Sequence, residues 1–142
     1  MKRITVLLVD DAKVVRGEYR KILELEDDLE VVGEAIDGLQ AVIMAKKLLP
    51  AVVLMDAAMP LLNGWLATRQ ILKAFPATKV LMFSSYSDEA YIEESINSGA
   101  MGYLIKYTAA DCVCEAIREV QKGMTFFSTS IPKHLHQRKR KK

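Results

Sequence analysis

The sequence predicts an α/β domain with a central parallel sheet, and three observations carry that prediction. Short apolar runs alternate with helix-periodic segments five times along the chain. The best-defined runs are apolar throughout, as strands covered on both faces are. The length, 142 residues, is that of one domain, enough to bury roughly 68 to 70% of the surface its unfolded chain exposes.

Ile4 to Val9 is the first strand, and Ala12 to Glu26 follows as an amphipathic helix with Val15, Tyr19, Ile22 and Leu23 on one side. Glu30 to Ala35 reads as the second strand. Asp37, with Gln40 three residues on, is placed to cap a helix that Pro50 stops. Val52 to Met55 is the third strand, and the turn-rich stretch Met59 to Gly64 leads into a helix from Trp65 to Ala74. Lys79 to Phe83 is the fourth strand. Ser87 or Asp88 caps the next helix, and Gly99 stands just beyond its end. Gly102 to Ile105 is the fifth strand. Thr108 with Asp111 forms a capping-box pattern ahead of the stripe Val113, Ala116, Ile117 and Val120, and Gly123 ends that helix.

The strand ends carry the chemistry. In an open parallel sheet, ligands sit outside the carboxyl ends of the strands. The residues at those ends here are Asp10 and Asp11, Asp56, Ser84 and Lys106. Three converging carboxylates repel one another unless a cation neutralises them, and a hard divalent ion with oxygen ligands, Mg²⁺ above all, suits such a set. A lone strand-end carboxylate such as Asp56 can act as a nucleophile and accept a phosphoryl group. Asp10 and Asp11 would hold the ion, Lys106 would supply positive charge, and Ser84 a hydroxyl donor.

With Leu7-Leu8-Val9-Asp10-Asp11, Val31 to Ala35, Asp37-Gly38, Val53-Leu54-Met55-Asp56, Met59-Pro60, Asn63-Gly64 and Gly99 to Lys106, the chain resembles a two-component response regulator receiver domain of the NarL/FixJ type. The likeness covers residues 3 to about 128. It implies a flavodoxin-like (CheY-like) doubly wound sheet of five strands, order 2-1-3-4-5, with five helices. It further implies Asp56 as the phosphoacceptor, and Mg²⁺ held by Asp10, Asp11, Asp56 and the main-chain carbonyl of Ala58. Ser84 and Tyr103 would read the phosphate, the Tyr103 ring moving inward, to alter the surface of the fourth helix, fifth strand and fifth helix. A sensor histidine kinase is the implied partner, with homodimerisation on phosphorylation. Catalysis would be limited to the chain's own phosphorylation and dephosphorylation. Ser84 stands where threonine is more usual, and Tyr107 follows Lys106 where many receivers have proline.

Other classes fare less well. The helix-turn-helix usual in NarL/FixJ regulators is not found in the twenty or so residues after Gly123. The chain therefore reads either as a receiver acting on a partner or as the receiver part of a DNA-binding transcriptional regulator. A haloacid-dehalogenase-like phosphatase would need a second acid two residues after its nucleophile, whereas Asp56 is followed by Ala57 and Ala58. Phosphate-loop and dinucleotide glycine patterns are missing. Cys112 and Cys114 fall two apart in a helix, on different faces, so neither a disulfide nor a metal pair is expected. His134 and His136 are too few for a metal site.

The net charge of +2 hides an asymmetry, for six of the twenty Lys and Arg lie in the last ten residues and leave residues 1–132 at −4. A receiver domain over residues 1–128 and a basic, unfolded tail over 129–142 is the expected division. The tail reads first as a solvated end, and the alternative is a weak, salt-sensitive contact with polyanions that is indifferent to base sequence, so sequence-specific DNA binding is not expected of these residues. No apolar run approaches ~18 residues, so no membrane span and a cytoplasmic location are the expectation.

Overall fold

In the computed structural model, which describes residues 2–59 and 61–137, strands and helices alternate as the sequence predicts. They are β1 Ile4–Val9, α1 Lys13–Glu24, β2 Leu29–Ala35, α2 Gly38–Leu48, β3 Val52–Asp56, α3 Gly64–Ala74, β4 Lys79–Ser84, α4 Glu89–Asn97, β5 Gly102–Ile105 and α5 Lys106–Gln121. A two-residue strand, β6 Phe126–Phe127, and a short 3₁₀ turn at Lys133–Leu135 follow. The sheet runs 2-1-3-4-5-6 with every pair parallel, adding one edge strand to the expected five.

Because side chains alternate across a strand, each one feeds two cores. Leu7, Val9, Val53, Met55, Val80, Met82, Tyr103 and Ile105 pack on the side of α2, α3 and α4. Val6, Leu8, Val52, Leu54, Leu81, Phe83 and Leu104 pack with Tyr19 and Leu23 of α1 and with Val113, Ala116, Ile117 and Val120 of α5. All five residues of β3 are buried, which accounts for its continuous apolar run. Each fully buried Leu or Val contributes about 1.5 to 3 kcal/mol relative to exposure.

Helix ends follow local chemistry. Asp37 accepts the Gln40 N–H, and the Gln40 side chain accepts the Ile36 N–H, a close variant of the expected box. Asn63 caps α3 through the Leu66 N–H. Asp88 precedes α4 in an extended conformation without a side-chain cap bond. The Thr108–Asp111 box does not form, because α5 already begins at Lys106 and the Thr108 hydroxyl lies 3.4 Å from the Ile105 carbonyl inside the first turn. Gly99 adopts φ +107, a conformation costly for other residues, as its place past α4 requires.

The expected boundary at residue 128 cuts through a packed segment. Ile131 and Leu135 are buried and join the core beneath α4 and β5, so the described part of the tail, up to Gln137, is seated on the domain. An apolar pair four residues apart supplies the reason. Pro60 and residues 138–142, which include most of the basic run, lie outside the described residues. No helix among the described residues is long and apolar enough to cross a membrane.

Candidate functional site

Strand order decides what meets what. β1 and β3 are neighbours, with Val9 opposite Met55, so Asp10 and Asp56 leave the sheet side by side where the winding reverses direction. One ligand oxygen from each of Asp10, Asp11 and Asp56 can be chosen so that all lie within 4.8 Å of one another. Asp10 and Asp56 are buried, while Asp11 is exposed. Lys106 arrives from the end of β5, its Nζ 2.7 Å from Asp10 Oδ2 and 3.4 Å from Asp56 Oδ2. It also lies 4.9 Å from the centre of the Phe83 ring. A cation in the first turn of a helix opposes the helix dipole, so the two carboxylates are what hold Lys106 there.

Backbone donors fix both acids. The Ala12 N–H donates to Asp10 Oδ1 at 2.8 Å, and the Ala58 N–H to Asp56 Oδ1 at 3.1 Å. Burial pushes the Asp56 carboxyl up to about 6. Lys106 and the Ala58 N–H pull it down, and the Asp10 charge adds to the rise. Lys106 is held above its ordinary value: burial works against its charge, but the Asp10 hydrogen bond and the Asp56 and Asp10 charges outweigh it. Three carboxylates thus outnumber the Lys106 ammonium at a partly desolvated point, and their oxygens are the donor set a hard divalent ion takes.

Ser84, fully buried at the end of β4, accepts the Tyr86 N–H at 3.1 Å. Tyr103 is fully buried as well, and its hydroxyl donates to the Tyr86 carbonyl at 2.8 Å. The ring thus stands inward in this structure. Trp65 packs edge-on against Tyr91, on which Tyr86 stacks with ring centres 4.9 Å apart.

Two supporting residues escaped sequence reasoning. Arg16 donates to the Asp10 carbonyl at 2.7 Å and to Glu34 at 2.9 Å, tying the acidic loop to β2. As an ordinary charge on an amphipathic helix it gave no signal. Gly64 lets α3 approach β3 closely, since a Cβ there would stand 2.2 Å from the Asp56 carbonyl oxygen and 2.9 Å from Ala57 Cα. In the sequence Asn63-Gly64 registered as a turn and as a piece of the family pattern, with no sign of this close approach.

The family model for the response regulator receiver domain matches residues 6–118. The transcriptional regulatory protein DegU of Brevibacillus brevis is 36% identical over 133 residues, which cover 94% of this chain and 56% of that protein. The chain spans about half the length of the curated relatives it matches. Among solved structures, a LuxR-family two-component response regulator from Aurantimonas sp. SI85-9A1 superposes with a TM-score of 0.85 at 29% identity, covering 91% of each chain. The isolated receiver domain of RcsB from Salmonella enterica serovar Typhimurium, determined with the phosphomimetic BeF₃⁻, gives 0.84 at 25% identity and covers 94% of this chain and 99% of that one.

Proposed function

Since this chain belongs to the response regulator receiver domains of two-component systems, we propose that Asp56 is its phosphoacceptor. The observation that carries the reading is a buried carboxylate at the end of β3, 4% exposed, with Lys106 Nζ at 3.4 Å and two further acids beside it. With its pKa at about 6, Asp56 is mainly ionised at neutral pH and able to attack.

An Asp56 oxygen attacks phosphorus in a phosphohistidine of a sensor kinase, or in a small acyl phosphate. The new P–O bond forms as the bond to the imidazole nitrogen or donor carboxylate breaks, and the leaving group keeps the electron pair. Asp10, Asp11, Asp56 and the Ala58 main-chain carbonyl would hold Mg²⁺, which when bound spreads the negative charge of the phosphoryl oxygens. Lys106 turns from Asp10 and Asp56 to the phosphoryl group, and the Ser84 hydroxyl donates to it. Catalysis would be limited to the chain's own phosphorylation and dephosphorylation. Its output goes to a partner or to further residues of a regulator, and the family relatives, named as transcriptional regulators, favour control of transcription, with phosphorylation promoting a homodimer.

Incubation with a small acyl phosphate tests this. The parent chain should be labelled in Mg²⁺ and not in chelator, and Asp56→Ala should stay unlabelled. Equal labelling of parent and variant overturns the assignment.

A further inference from the structure

Residues 126–137 close over one side of the domain in a way phosphoryl transfer does not require. β6 lies beside β5, pairing Phe126 with Gly102 and Phe127 with Tyr103. The Ser128 N–H donates to the Tyr103 carbonyl at 3.1 Å, and the Ser128 hydroxyl oxygen accepts the Ile105 N–H at 2.8 Å. Further on, Ile131 and Leu135 are 5% and 2% exposed. The His136 ring stacks on Phe127 with centres 3.9 Å apart.

Beneath this segment is a slot lined on the domain side by Ser87, Glu89, Ile92 and Ile105. Ser87 lies in the loop in which Tyr86 is pinned twice, its N–H by Ser84 and its carbonyl by Tyr103, and Glu89 opens α4 just beyond that loop. One loop therefore borders both the Asp56 site and the seat of residues 126–137. Drawing the Ser84 hydroxyl toward a dianion on Asp56 takes its oxygen off the Tyr86 N–H and leaves the loop held from one side. Ile131 and Leu135, the hydrogen bonds of Ser128 and the Phe127–His136 stack together offset the conformational entropy of the stretch.

We propose that residues 126–137 are a strap seated while Asp56 is unmodified and released when a phosphoryl group draws Ser84 away from Tyr86. The inference rests on the reading of Asp56 as phosphoacceptor, and it adds a moving part next to the point where the chain leaves the sheet.

The test uses the full chain with Mg²⁺ and beryllofluoride, following bound fluoride by ¹⁹F NMR and backbone amides by hydrogen exchange. On binding, exchange at Ile105, Ser128 and residues 129–137 should quicken by roughly fivefold or more, with β1 and β3 unchanged. By reciprocity, Leu135→Ser, or the milder Ile131→Ala, should tighten beryllofluoride binding by the factor through which it loosens the strap. Bound beryllofluoride with unchanged or slower exchange in the strap overturns the strap and leaves the Asp56 reading standing. Absence of bound beryllofluoride overturns both.

Discussion

Replacing Asp56 by Asn should stabilise the metal-free domain while abolishing its phosphorylation. A carboxyl held at about 6 against an ordinary 3.8 has its charged form disfavoured in the fold by about 3 kcal/mol, at ~1.4 kcal/mol per pH unit. The sign follows from proton counts. Between pH 3.8 and 6 the folded chain binds more protons at Asp56 than the unfolded chain, so this group's effect on stability worsens as pH rises and is fully adverse above 6. Asn resembles the neutral acid in shape and charge, so the gain should be about 3 kcal/mol at pH 8 and under about 1 kcal/mol at pH 4. In a domain of this size that is a rise in Tm of roughly 10 °C. Urea denaturation in chelator at the two pH values measures it, and acids remote from the site cancel because they are common to both chains. Added Mg²⁺ should narrow the gap by stabilising the parent more than the variant, which lacks one carboxylate ligand. A variant no more stable than the parent at pH 8, or a gain that does not change with pH, would refute the reasoning.

Gly64→Ala sets a methyl against the backbone of Asp56 and Ala57 and should cost about 2 kcal/mol or more in urea unfolding, with slower labelling of Asp56 by an acyl phosphate. Lys106→Met leaves Asp10 buried beside Asp56 without its ammonium. Metal-free stability should fall by about 3 kcal/mol, and Mg²⁺, freed of a competing cation, should bind more tightly in a titration followed by Trp65 fluorescence. Ala58 offers no side-chain polar group to orient water, and Tyr86 is bulky, so the phosphorylated state should be long-lived. Ala58→Asn combined with Tyr86→Gly should speed its decay by roughly tenfold, measured by loss of label.

The strands and the acids at their ends were legible because a strand buried on both faces must be apolar until it leaves the sheet, and Asp10, Asp56, Ser84 and Lys106 mark where that happens. Helix starts were less so. Thr108 and Asp111 have the spacing of a capping box, yet α5 begins two residues earlier, where Asp10 and Asp56 hold Lys106 in its first turn. That tertiary contact has no local signature. β6 is two residues long, too short for any period to register, and Ile131 and Leu135 sit ahead of a basic run that dominates the composition there. The buried position of Tyr103 depends on the Tyr86 carbonyl, which only the folded loop brings within reach.

The central claim, that Asp56 takes the phosphoryl group, is tested most directly by trapping. Borohydride reduces an aspartyl phosphate to homoserine, so a chain treated with acyl phosphate and Mg²⁺, reduced and digested, reports the modified residue by peptide mass spectrometry. Homoserine at position 56, dependent on Mg²⁺, is the predicted result. Homoserine at position 10 or 11 with Asp56 intact would contradict the account.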